Sequence, residues 1–204
     1  MSDPKQGRLV RAPEGATVKQ ERETVTENAV RVDSDDGEEG TSSGSQTKSD
    51  NAAEMVEALN VVHAGTFNLF YLVRKHYWSA EGAESGDVAE FLGDAYQRLR
   101  HVDDAVAHRI SELGGVPVST PPEIQEHAPV HLEAEHLYSL RASLEGDLDA
   151  YATLAVAFRD AVDVARAVGD EASRELLESR LETIEDDAHT IERYVEDDTL
   201  VGER

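Results

Sequence analysis

The chain has 204 residues, with 43 Asp and Glu against 19 Lys and Arg, a formal charge of −24 and no cysteine. That length supports one domain with a substantial core. The lack of cysteine excludes disulfides and thiolate metal sites, no apolar run approaches the roughly 20 residues of a membrane span, and the negative balance opposes DNA, whose phosphates are bound through Lys and Arg.

Residues 1–50 differ from the rest. They hold Pro4, Pro13, an acidic cluster from Asp33 to Glu39 and a Gly/Ser/Thr-rich stretch from Gly40 to Ser45, with few large apolar side chains. Such a segment buries too little surface to offset the entropy of ordering. It is read as a disordered or loosely docked acidic tail, with a short alternating run at Val25–Val32 as a docked piece. Its first part carries Lys5, Arg8, Arg11, Lys19 and Arg22, a weak opportunity for phosphate contact. Met1 to Gly7 is polar and lacks the apolar stretch of a signal peptide, so a cytoplasmic location is expected.

From Asn51 onward, apolar periodicity predicts four long helices and an all-α domain over 51–201. The first spans about Ala52 to Trp78, with Met55, Leu59, Val62, Phe67, Phe70, Tyr71 and Val73 as buried positions. The second spans about Asp87 to Leu113, where Gly114-Gly115 supplies a left-handed stop. A long connection follows with Pro117, Pro121, Pro122 and Pro129, and Thr120-Pro121 can start a short helix inside it. The third long helix is expected from about Ala134 to Val168, ending at Gly169. Asp170 then caps the fourth, from about Glu171 to Tyr194. Two hairpins joined by one long crossover make a ferritin-like bundle rather than an up-down-up-down one.

Several histidines are placed among carboxylates. His101, Asp104 and His108 follow spacings of three and four and project from one helical face. Two imidazoles and a carboxylate suit Fe(II), Zn(II) or Mn(II); the same pattern also suits a solvated helix face. His63 lies among Val61, Val62 and Phe67 and reads as a hydrogen-bonded residue of the bundle. His127, His131 and His136, near Glu123, Glu126, Glu133 and Glu135, form either a loose metal-collecting patch or an acidic solvated loop. Trp78 reads as core or interface.

The order and spacing of three stretches carry a resemblance. They are Lys75-His76-Tyr77-Trp78-Ser79-Ala80-Glu81-Gly82, the run from Asp104 to Leu113-Gly114-Gly115-Val116-Pro117, and Thr183 to Val201 with Ile184-Glu185-Asp186-Asp187-Ala188-His189 inside it. Over residues 52–198 the chain resembles the Dps-type mini-ferritins, particularly the haloarchaeal members. The acidic composition and the count of only four lysines (Lys5, Lys19, Lys48 and Lys75) agree with a halophilic setting, where salt screens like charges.

The resemblance implies a ferritin-like four-helix bundle with a short helix in its crossover, a dodecameric homo-oligomeric shell, and iron binding, storage or oxidative-stress protection. In the family the iron site lies between two subunits. One gives two acidic residues from its second helix. The other gives a histidine before Trp, a histidine twelve residues on and an acid four beyond that. The corresponding positions are Asp104 and His108 for the first set, and Tyr77, Ala89 and Gly93 for the second. Ala89 and Gly93 have no ligand atoms, and the Tyr77 phenol is a poor ligand for Fe(II) because it loses its proton only near a pKa of about 10. His76 adjoins Tyr77, but one helical step turns a side chain by about 100°, away from that site. Ferroxidase activity is therefore expected to be impaired or absent. The alternative is a non-catalytic shell or scaffold paralogue that co-assembles with an active family member or recruits partners through its tail. By the same resemblance Asp160, Asp163, Asp170 and Glu171 are candidate pore carboxylates; the simpler account of them is a halophilic surface.

Overall fold

The computed structural model describes residues 42–80, 85–133 and 137–196. Among the described residues there are five helices: α1 Ser42–Ser79, α2 Ser85–Glu112, α3 Pro121–His127, α4 Leu140–Val168 and α5 Glu171–Glu196. The expected tail piece at Val25–Val32, the basic residues from Lys5 to Arg22, Glu135, His136 and the stretch 197–201 lie outside them.

The helix ends have local causes. Gly114 at φ 81° stops α2, and Gly115 N–H donates to Ile110 O. At α3, Glu123 accepts from both Thr120 N–H and Thr120 Oγ. Ser139 Oγ accepts from Ala142 N–H at the start of α4, and Gly169 at φ 74° ends that helix. Asp170 then caps α5 through Ser173 N–H.

Two starts differ from the sequence expectation. α1 begins at Ser42 rather than Ala52, as an extension whose residues Thr47 to Asp50 are solvent-exposed. No buried face marks that turn, so apolar periodicity could not show it. α4 begins at Leu140 rather than Ala134, because Ser139 is the cap and His131 to Glu133 run as extended chain beside α1.

α1 packs on α2 and α4, α4 on α5, and α2 on α5. The core between them holds Met55, Leu59, Val62, Leu69, Val73, Leu92, Leu99, Ile110, Tyr151, Leu154, Phe158, Leu177 and Ile184, all essentially without solvent contact. Burial of each large apolar side chain contributes about 1.5–3 kcal/mol. Tyr71, expected inside, is 41% exposed; Leu69, Leu72 and Val73 take the inward face of α1 and turn it out.

The crossover from α2 to α4 returns along α1, held by a ladder of polar side chains in chain order. Asn60 accepts from Val118 N–H and donates to Val116 O. His63 reaches Val118 O at 3.0 Å, Asn68 donates to Val130 O at 2.8 Å, and His76 meets Glu133 at 2.9 Å. Asn51 donates to Val168 O at the other end of the α1–α4 pair, which fixes the two helices as antiparallel. Asn60, His63 and Asn68, inside an otherwise apolar bundle, satisfy the loop's backbone, and His76 through the Glu133 side chain completes its register.

Candidate metal face and the Tyr77 cluster

His101, Asp104 and His108 lie exposed along α2. Asp104 sits 4.0 Å from Arg100 Nε, a loose surface pair worth little. Seven helical residues span about 10 Å, so His101 and His108 cannot share one ion, and the stripe offers at most an adjacent pair of ligands. Among the described residues no group of three or more His, Asp or Glu side chains is placed to hold a metal. A ferrous ion on this face would therefore need donors from another molecule.

The region around Tyr77 carries aromatic rings instead of ligands. A Cβ placed on Gly93 would lie 3.2 Å from Tyr77 Cε2. The Tyr77 ring thus rests against the bare backbone of α2 where an acidic side chain would start, and packs on Tyr96 with centroids 5.5 Å apart. Ala89 is half-buried and adds only a methyl group. Beside this pair, Arg74 lies over the rings of Phe70, Tyr71 and Trp78 at 5.0, 4.9 and 4.6 Å, a stabilising cation–π arrangement. Trp78, expected in the core or at an interface, is 65% exposed in the single chain. The roles of Arg74 and Tyr96 were not legible in sequence, because an arginine and a tyrosine on helix flanks give no periodic signal.

The four carboxylates of the α4–α5 turn do not converge. Asp170 accepts from Ser173 and from Arg109 at 2.8 Å. Burial works against its charge, but those donors outweigh it and hold its pKa below the ordinary carboxylate value. Asp163 pairs with Arg166 at 2.9 Å and Glu171 with Arg174. Asp160 makes no ion pair with the described residues and borders an open apolar groove lined by Val61, Pro129, Val156 and Val164. His131 is exposed, and His127 bonds to Glu123 O.

Two histidines of α1 are buried and doubly bonded. His63 meets Asp103 of α2 at 2.7 Å through Nδ1 and Val118 O through Nε2. His76 meets Asp147 of α4 and Glu133 of the crossover, each at 2.9 Å. In both cases burial favours the neutral ring, but the acceptors outweigh it and raise the pKa above its ordinary value. Between α2 and α5 the half-exposed Arg98 forks onto Asp187, which also accepts from the fully buried Tyr151. The arginine is a permanent cation that ties α2 to α5 through a two-point contact with the carboxylate.

The comparisons with known proteins agree with this architecture. Residues 56–201 match the ferritin-like domain model. The chain is 41% identical over 152 residues to the DNA protection during starvation protein of Halobacterium salinarum, covering 74% of this chain and 84% of that protein. It is 32% identical over 149 residues to the nutrient stress-induced DNA-binding protein of a Synechococcus species, covering 72% and 84%. The crystal structure of an archaeal Dps homologue from H. salinarum superposes with a TM-score of 0.71 over 76% of this chain and 86% of that one. DpsC from Streptomyces coelicolor, 27% identical, gives the same score over 75% and 90%. The chain belongs to the ferritin-like family, as a Dps-type mini-ferritin. No described helix is long and apolar enough to cross a membrane.

Proposed function

We propose that this chain is an iron-handling shell subunit of the Dps type, acting in iron storage or stress protection, that does not run rapid ferroxidation by itself. The observation that carries the reading is the Tyr77 ring lying on Gly93, with Ala89 one helical turn before. A pocket formed from Tyr77, Ala89 and Gly93 on one side and Asp104 and His108 on the other has two side chains suited to Fe(II). Two ligands hold a labile divalent ion weakly, and joint oxidation needs two ions side by side. Iron is substrate and cargo here, collected by the acidic surface, with Asp160, Asp163, Asp170 and Glu171 as candidates along its route. DNA compaction is not part of this reading: the relatives' names refer to DNA, but a charge of −24 repels phosphate.

The pattern of substitution favours a second reading, co-assembly with an intact family member. The three positions without a suitable ligand, Tyr77, Ala89 and Gly93, belong to the half-site that one subunit gives, whereas Asp104 and His108, a histidine where the family has an acid, form the half that it lends to its neighbour. In a mixed pair, an intact subunit's two histidines and acid would face Asp104 and His108, so one of the two pockets would regain a full set of donors.

Aerobic Fe(II) oxidation tests both. The homomer is expected to oxidise iron no faster than buffer, and an assembly co-expressed with an intact relative is expected to oxidise it at a rate that falls in a His108→Ala variant. Fast oxidation by the homomer would overturn the first reading; a mixed assembly indifferent to His108 would overturn the second. Installing Tyr77→His, Ala89→His and Gly93→Asp together should restore activity, because removing the phenol ring clears the space the new carboxylate needs.

A further inference from the structure

Both ring nitrogens of His76 face carboxylate oxygens, Nδ1 toward Asp147 and Nε2 toward Glu133, each at 2.9 Å. Ionised carboxylates only accept, so with both acids charged the two bonds require a ring protonated on both nitrogens; burial raises the pKa of Asp147 above its ordinary value, and His76 opposes that shift. The ring is almost wholly buried and Asp147 entirely so. Asp147 Oδ2 has no hydrogen-bond partner, which leaves His76 as the only group bonded to this carboxylate among the described residues. Glu133 is placed differently: it is partly exposed and also bonded to Lys75. The charged and titratable groups facing the ring are therefore Asp147 from α4, Glu133 from the crossover, and Lys75 of α1 acting on Glu133, with Tyr151 one turn further along α4.

We propose that His76 is a proton-operated latch for the end of the crossover. With both protons in place, the ring ties Glu133 and Asp147 to α1. When pH rises, the Nε2 proton leaves to solvent past Glu133, because Glu133 keeps Lys75 as a counter-ion whereas Asp147 has no other. The remaining N–H stays on Nδ1, bonded to Asp147. The lone pair now on Nε2 repels Glu133, so the segment 129–133 comes away while the start of α4 stays attached. The segment that opens includes Pro129, which borders the groove with Val61 and Val156, and Val130, whose carbonyl is held by Asn68. The raised pKa of His76 agrees with the direction: the tie is complete below the unfolded-state value and is lost as pH rises through the folded one.

The test is backbone hydrogen–deuterium exchange of the full chain in its native assembly, from about pH 5.5 to about pH 9 and corrected for intrinsic base catalysis, with the His76 ring midpoint read from imidazole C–H deuteration by mass spectrometry. Protection over 129–133 should fall about tenfold across the His76 midpoint, with 140–148 and α5 unchanged. In a His76→Gln variant the segment should be weakly protected at every pH. Should that variant fail to fold, Glu133→Gln decides: losing one of the two carboxylates must move the ring midpoint to lower pH. Flat protection over 129–133 in the parent protein, or a midpoint unmoved by Glu133→Gln, overturns the latch.

Discussion

Gly93 and Tyr77 act as one unit, each residue making sense only beside the other. Alanine inside a helix is favoured over glycine by about 1 kcal/mol, and nothing in the backbone of α2 requires glycine at 93. The space is held by the Tyr77 ring, 3.2 Å from where a Cβ would stand. Gly93→Ala should therefore gain little stability alone, and close to the full ~1 kcal/mol in a Tyr77→Ala background, a coupling that a double-mutant cycle in urea would register. Additive effects would mean that the ring does not occupy that space. Gly115 differs, since its Cβ would meet Val56 Cγ1 at 2.6 Å. Gly115→Ala should destabilise by about 1–3 kcal/mol through overpacking where the crossover begins, visible as a lowered urea midpoint.

At the scale of elements, the α4–α5 turn is stabilised by one carboxylate with three tasks. Asp170 caps α5, accepts from the buried Ser173 hydroxyl, and receives Arg109 from the end of α2. Asp170→Ala removes a cap worth about 1–2 kcal/mol and leaves the guanidinium of Arg109 with Glu112 as its one carboxylate partner, beside the Ser173 hydroxyl. Because the folded-state pKa of Asp170 is depressed, its contribution is present above the unfolded-state value and lost as pH falls through the folded one. Parent and variant should thus differ in thermal midpoint at neutral pH and converge once pH has fallen through the depressed folded-state pKa of Asp170. A difference that persists in acid would assign the effect to packing instead. The crossover obeys the same logic through Asn60, His63 and Asn68, since a connection laid over a helix needs side-chain partners wherever its own carbonyls are buried.

For the whole molecule, twelve copies of a 22.3 kDa chain would make a particle of roughly 270 kDa. Light scattering after size exclusion should find it for the homomer, or else only when an intact relative is co-expressed; a monomer in both cases would remove the shell from the proposed function. The exposed Tyr71, Tyr77 and Trp78 fit an assembled protein better than a free one, because a contiguous aromatic face is rarely left to water. A net charge of −24 also predicts that assembly tightens as salt screens repulsion between subunits.

Legible in the residues alone are the helical class, four of the five helix C-terminal ends to within a few residues, the short helix begun at Thr120-Pro121, the cap at Asp170, and the family. Those features are local: periodicity, glycine at a left-handed stop and side chains that cap their own helix are written in neighbouring residues. The sequence also showed that Tyr77, Ala89 and Gly93 lack suitable ligands, which is chemistry carried by residue identity. That Tyr77 rests on Gly93, that Arg98 meets Asp187 across the bundle, and that His76 turns from its neighbour Tyr77 toward Asp147 and Glu133 emerges from the packed fold alone. Each of those contacts joins residues far apart in the chain or sets the direction of a side chain, and both depend on how helices pack rather than on what any one helix contains.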